Sequence, residues 1–371
     1  FPLVFVRRSV KQKARKYLPP GSCCAIMRST TNPCDRRSLA IWLEGEKAGD
    51  CRFFRFWSTR KRQGAPDLEP LRTRVYIDGY NFYYGCLRRT PYKWLDLLPL
   101  FEKHILPSVL VNDAESRIRT STLLPSPSIK FFTAKIIESV ARSVDSVSSQ
   151  ARYHTALRKL HDGRIELIEG YYAVNKMKVK AVDEEDPDRV PRECQEVRAW
   201  KVEEKQSDVN LALQAYHDAI TGQIDQAVIV TNDTDIAPAL AMIREHTKVL
   251  IGVVVPTTDH TRPPNTDLVK LAHWKREHIN ASELAACQLP RVIQGRKPTA
   301  KPESWYGQPD LLQEILSLAI PIRGSKAAVF KWMEQPNSYL GGERPIGLIE
   351  SEAGAHQVIA YMQSWISQRG A

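Results

Sequence analysis

The stretch Lys248–Val255 (KVLIGVVV) constrains the fold more than any other part of the chain. A strand with one wet face alternates apolar and polar residues; this run is apolar on both faces, which predicts a central parallel strand covered by helices on either side. The segments before it supply the partners such a sheet needs. Arg74–Asp78 (RVYID), Ile129–Ala134 (IKFFTA), Arg164–Ile168 (RIELI) and Ala227–Val230 (AVIV) are short β-branched or aromatic runs and read as strands. Tyr92–Ile105, Ser148–His161, Ser207–Ile220 and Ile236–Arg244 read as helices. In the first of these, Trp94, Leu97, Leu98, Phe101 and Ile105 fall near helical spacing; in the third, Val209, Leu211, Leu213 and Tyr216 are the core candidates. Residues 112–128, rich in Ser, Thr, Asn and Pro, read as a surface loop, and Lys176–Lys205 alternates basic and acidic blocks as a solvated hairpin or mobile flap does. Strands alternating with helices predict an α/β three-layer sandwich with a parallel central sheet over residues 71–290.

Residues 291–308 read as a linker, with Gly, Pro and Lys gathered at Gln294–Tyr306. A small all-α domain is expected at 309–371, from Leu311–Ala319, Ala327–Met333 and a final amphipathic helix in which His356 is a structural residue. Residues 1–70 are set apart by charge. They hold 15 Lys/Arg against 6 Asp/Glu, so most of the net charge of +11 sits there, and it does not argue for a nucleic-acid partner of the rest. That segment reads equally as a disordered basic tail or as a non-native extension ahead of a start at Leu71; its opening also imitates a targeting peptide, although FPLVF is too short for a signal core. No apolar run reaches the roughly 18 residues of a membrane span. Cys86, Cys194 and Cys287 have no ligand spacing and read as reduced thiols of a cytoplasmic protein.

Chemistry is expected where strands end. Asp78 closes the first strand, Asp233 and Asp235 follow the AVIV strand in TNDTDIAP, and Asp208 opens the long helix after Lys205. In open α/β sheets ligands sit at the carboxyl ends of the strands. Acids converging there repel one another unless protonated or bound to a cation, and oxygen ligands favour Mg²⁺ or Mn²⁺ over zinc. Each also has a plainer reading: Asp208 as a first-turn or capping acid, Asp235 as a cap, and Asn81 as a support for the D-G-Y-N turn.

Three motifs, IDGYN at 77–81, KQSDVNL at 205–211 and TNDTDIAP at 231–238, resemble those of the NYN family, a branch of the PIN-like nucleases. The resemblance spans about residues 73–280. It implies a PIN-like sandwich, metal-assisted hydrolysis of RNA by Asp78, Asp208, Asp233 and Asp235 as metal-holding catalytic residues, and Asn81, Thr231 and Lys205 as substrate-facing residues. Lys176, Lys178, Lys180, Arg198 and Lys201 would add backbone contacts and Trp200 base stacking, against the plainer reading of a solvated hairpin face. Asn232 departs from the family, which more often has glycine there, and the insertion at 171–204 is unusually long.

KWMEQPNSYLGGERPIGLI and EAGAHQV, within 309–368, are similar to the toxin-binding domain of Xre/MbcA/ParS-type antitoxins. Trp332, Pro336, Asn337, Leu340, Gly341, Gly342 and Pro345 carry the likeness. It implies a bacterial, toxin–antitoxin-like module that takes a protein partner or self-associates. The whole architecture also resembles bacterial hydroxylases of hydroxypyridines such as 6-hydroxy-3-succinoylpyridine, which implies NADH and a flavin; the chain has neither G-x-G-x-x-G nor a 2-His-1-carboxylate pattern in support. A non-catalytic adaptor is the third reading.

Overall fold

A computed structural model of the protein describes residues 69–113, 115–259 and 262–369. The readings of residues 1–68 as tail or extension lie outside the described residues. The central sheet has eight strands: β1 (Leu71–Asp78), β2 (Ser121–Leu123), β3 (Ile129–Ala134), β4 (Ile165–Lys180), β5 (Glu196–Lys205), β6 (Gln226–Val230), β7 (Leu250–Val254) and β8 (Trp274–Arg276). They lie in the order β8-β7-β6-β1-β3-β4-β5, with β2 also paired to β1. Every pairing is parallel except the β4–β5 hairpin at one edge.

Period-2 alternation splits the sheet's apolar residues between two cores. Val75, Ile77, Val228 and Val230 face one side, against Trp94, Phe101 and the helix α1 (Ser146–Leu160). Tyr76, Ile229, Ile251 and Val253 face the other, against α2 (Ser207–Ile220) and α3 (Ala237–His246). The whole of β7 is buried, as a strand covered on both faces must be. The fold is thus a mostly parallel α/β sandwich with a helical C-terminal region.

Several elements differ from the sequence reading. The first strand begins at Leu71, not Arg74, because Leu71 is buried and pairs with Ser121. Its partner β2 lies inside the stretch read as loop, where buried Leu123 anchors it. The helix read from Tyr92 starts at Leu97, where Asp96 caps it by accepting from the Leu98 amide at 3.2 Å. On α2 the buried face is Leu211, Ala215 and Ala219, which leaves Val209 and Leu213 each 61% exposed; those two are not core residues.

Between the sheet and α2 lies a buried charged group. Asp218 accepts from Arg74 Nη1 at 2.7 Å, from the Tyr76 hydroxyl at 2.7 Å and from Lys130 Nζ at 2.8 Å, and all three charged residues are at least nine-tenths buried. Burial opposes the ionised form of Asp218, but the hydrogen bonds from Lys130, Tyr76 and Arg74 outweigh it and hold the carboxyl below the ordinary range.

The helices α4 (Pro309–Arg323), α5 (Lys326–Met333) and α6 (Glu352–Arg369) enclose a third core that includes Leu312, Ile315, Val329, Met333 and Val358. The segment read as linker is packed rather than free. Val292–Ile293 pairs with Thr299–Ala300, Trp305 lies 6.1 Å from Trp94 and 5.7 Å from Tyr153, and the next residue, Tyr306, stacks on Phe330 of the helical core.

Candidate functional site

β1 delivers Asp78, 3% exposed, to the carboxyl end of the sheet. The chain turns off immediately, and only glycine permits the turn, because a Cβ at Gly79 would stand 2.5 Å from the Phe132 carbonyl oxygen. Asp78 caps the short helical turn that follows. Its Oδ1 accepts from the Asn81 amide at 3.0 Å, and its Oδ2 accepts from Asn81 Nδ2 at 2.6 Å and from Thr231 Oγ1 at 2.8 Å. Thr231 Oγ1 in turn accepts from the Asp233 amide at 3.1 Å, so one hydroxyl ties the end of β1 to the loop after β6. Asp233 then caps the next turn, accepting from the Asp235 amide at 3.1 Å.

Asp208 arrives from the hairpin. Gly170 lets β4 pass against the end of β5, since a Cβ there would lie 2.2 Å from the Lys205 carbonyl oxygen. Gln206 takes the left-handed conformation, φ +78°, a strained choice for a residue with a side chain and one that clusters near functional sites. Asp208 then lies in the first turn of α2, where the helix dipole favours an acid; the cap position itself is Gln206. Carboxylate oxygens of Asp208, Asp233 and Asp235 lie within 4.8 Å of one another.

This gathering of charge has an electrostatic signature. Burial, and then the charges of Asp78, Asp233, Glu204 and Asp235, push the Asp208 carboxyl up to about 6. Glu204 is raised as well, by burial and by Asp78, against hydrogen bonds from Ser207 and Tyr172. A cation would relieve both. The donors are all carboxylate oxygens, with no histidine or thiol among them, and such a set fits Mg²⁺ or Mn²⁺.

Not every residue singled out from the sequence joins the cluster. Asn81 spends its side-chain amide on Asp78, as a support for the turn does. Lys205 turns away. Residues two apart share a strand face, and its Nζ pairs with Glu203 at 3.0 Å while Glu204 faces the acids. Along the hairpin, Lys178 and Lys180 each lie 3.4 Å from Glu196, and Lys176 Nζ sits 4.8 Å from the centre of the exposed Trp200 ring. Asn232, where glycine is usual, donates to the Pro263 carbonyl at 3.1 Å and accepts from the Asn265 amide at 2.8 Å, which ties the loop after β6 to the loop at 263–265. Glu204 was the residue missed; in sequence it is one acid among many in a charged hairpin, and only the alternation of β5 distinguishes it. Gly79 and Glu204 also line a cavity of about 220 Å³ beside the acids.

Among the described residues no helix is long and apolar enough to cross a membrane. Comparison with known proteins agrees with this architecture. The NYN domain model matches residues 72–272, and the model of the antitoxin Xre/MbcA/ParS C-terminal toxin-binding domain matches residues 317–364. A protein of Pseudomonas putida (strain DSM 28022 / S16) named 6-hydroxy-3-succinoylpyridine 3-monooxygenase HspA is 79% identical over 303 residues, which cover 82% of this chain and 97% of that protein. The crystal structure of a protein of unknown function from Vibrio parahaemolyticus RIMD 2210633 covers 59% of this chain and 97% of its own at 14% identity, with a TM-score of 0.31, too slight a likeness to carry an argument. The NYN match takes in more than half of the chain and all four aspartates at the end of the sheet; the protein belongs to the NYN family, within the PIN-like nucleases, and bears an Xre/MbcA/ParS-type domain at its C-terminal end.

Proposed function

We propose that the protein is a divalent-metal-dependent ribonuclease whose acidic site lies at the carboxyl end of the sheet. The observation that supports this most is the approach of the Asp208, Asp233 and Asp235 carboxylates to within 4.8 Å, with Asp78 joined to the same loop through Thr231. Asp78, Asp208, Asp233 and Asp235 would hold Mg²⁺ or Mn²⁺. When bound, such an ion activates water and stabilises charge on the leaving oxygen. The chain's own part is to fix the carboxylates. Asn81 and Thr231 orient Asp78 by three hydrogen bonds, and the Asp233 and Asp235 turn is pinned by its backbone. Glu204, with its raised proton affinity, stands where it can hold or release a proton beside the reacting water. The helical module at 309–371 supplies a surface for a protein partner or for self-association.

Purified full chain is expected to cleave single-stranded RNA with Mg²⁺ or Mn²⁺, and Asp78→Asn and Asp233→Asn are each expected to reduce cleavage to background. Undiminished cleavage by Asp78→Asn would overturn the assignment.

A second reading rests on the name of the 79% identical relative: hydroxylation of a hydroxypyridine with NADH and flavin. It predicts substrate-dependent NADH oxidation and flavin absorption between about 350 and 500 nm, whereas the nuclease is colourless.

A further inference from the structure

The cavity beside the acids is built from separate segments: the turn after Asp78, the turn at Pro91–Lys93, β3 and the loop after it, α1, the β4–β5 hairpin and the strap before α4. Its walls are aromatic. Tyr80 and Tyr84 pack with ring centres 4.5 Å apart, Tyr172 comes from the hairpin, and Trp305 from the strap. Arg88 and Arg142 lie 5.3 and 5.5 Å from the centre of the Tyr84 ring, on residues outside the cavity lining, and hold it in place. Two polar side chains of the lining, His154 and Thr133, keep hydrogen-bonding capacity that the fold does not use, although the His154 ring packs edge-on against Phe131 at 6.4 Å. His154 is 4% exposed and its ring makes no hydrogen bond; Thr133, 7% exposed, has an equally unpartnered hydroxyl. Both line the cavity, so this unused capacity is open to whatever enters it. Burial, with Arg158 nearby, pushes His154 down to about 4, so at neutral pH its ring offers one donor and one acceptor.

We propose that this cavity receives one planar heteroaromatic ring, its polar edge met by His154 and Thr133 and its faces by the aromatic walls, beside the acidic cluster. At about 220 Å³ it lies below the range of sites for drug-sized ligands, which suits one ring and not a whole dinucleotide cofactor. Two sources share this chemistry. One is a base of a bound RNA, which rests on the ribonuclease reading; the other is a free hydroxypyridine.

The test is ligand-observed saturation-transfer NMR on the full chain in EDTA, with adenosine, guanosine, cytidine, uridine and 6-hydroxynicotinic acid as probes. At least one probe is expected to bind. Tyr84→Ala is expected to weaken it about tenfold, the scale of one lost ring contact, and His154→Phe and Thr133→Val to weaken it too, with unchanged melting curves for Tyr84→Ala and Thr133→Val. Nucleoside binding assigns the pocket to a base, and binding of 6-hydroxynicotinic acid alone assigns it to a hydroxypyridine. Failure of all five probes, or equal binding by wild type, Tyr84→Ala and Thr133→Val, overturns the proposal. Metal and cleavage are absent from the assay, so an inactive nuclease and an empty pocket are told apart.

Discussion

Asp208 and Asp218 are carboxylates on one helix, ten residues apart, yet their surroundings drive them in opposite directions. Asp208 stands among Asp78, Glu204, Asp233 and Asp235, and burial together with their charges raises its proton affinity to about 6. Asp218 stands between Arg74 and Lys130 under the hydroxyl of Tyr76, and its proton affinity falls although it is the more deeply buried of the two. Burial alone raises a carboxyl in either place. What separates them is whether the fold supplies positive charge. At Asp218 it does, and the group is finished. At Asp208 the neighbours that weigh most add negative charge, an arrangement that costs stability until something outside the chain balances it.

The largest effect should come from breaking the finished end. Asp218→Ala leaves two buried cations without their carboxylate and is expected to cost about 3–5 kcal/mol in urea unfolding, without a direct effect on the acidic site. A loss near zero would mean that Arg74 and Lys130 find other partners or water. The next test supplies what the other end lacks. Mn²⁺ at about a hundred times its dissociation constant should stabilise the protein by about 2.7 kcal/mol, a rise of ~5–10 °C in melting temperature. Asp233→Asn should lose most of that rise and Asp218→Asn should keep it. A rise of equal size in Asp233→Asn would place the ion elsewhere.

The smallest effect is one of sign. A raised carboxyl pKa means the folded state holds its proton where the unfolded state has released it, so Asp208 withdraws stability as pH climbs from about 4 to about 6. Asp208→Asn should therefore gain about 1–2 °C at pH 8 without metal and nothing below about pH 4; the group is well exposed, which keeps the gain small. Asp218 has a depressed pKa, so its contribution is complete above the unfolded value and is lost as pH falls. Melting curves across pH for the two Asn variants should diverge in opposite directions.

How much of this could be read from the chain follows from how local each signal is. Lys248–Val255 and Ser207–Ile220 declare themselves by composition and periodicity over many residues, and β7 and α2 lie there. β8 is three residues long, and nothing in Trp274–Arg276 distinguishes it from loop. Val209 and Leu213 were misplaced because helical spacing fixes which residues share a face without fixing which face is inward; that depends on Ala215 and Ala219 packing against the sheet. The aspartates were visible because they stand in short motifs where strands end or a helix begins. Glu204, His154 and Trp305 were not, since each draws its meaning from a neighbour far along the chain: Glu204 from Asp78, His154 from the cavity, Trp305 from Trp94.

The strap between the two domains has a mechanical consequence. Ser304 and Trp305 form part of the cavity wall, and Tyr306, the very next residue, is stacked inside the helical module. A docked protein that displaced Tyr306 would drag the wall with it, and a molecule seated in the cavity would stiffen the same three residues. Linkage makes such an influence mutual: whatever factor the occupant of one end imposes on the other, it receives in return.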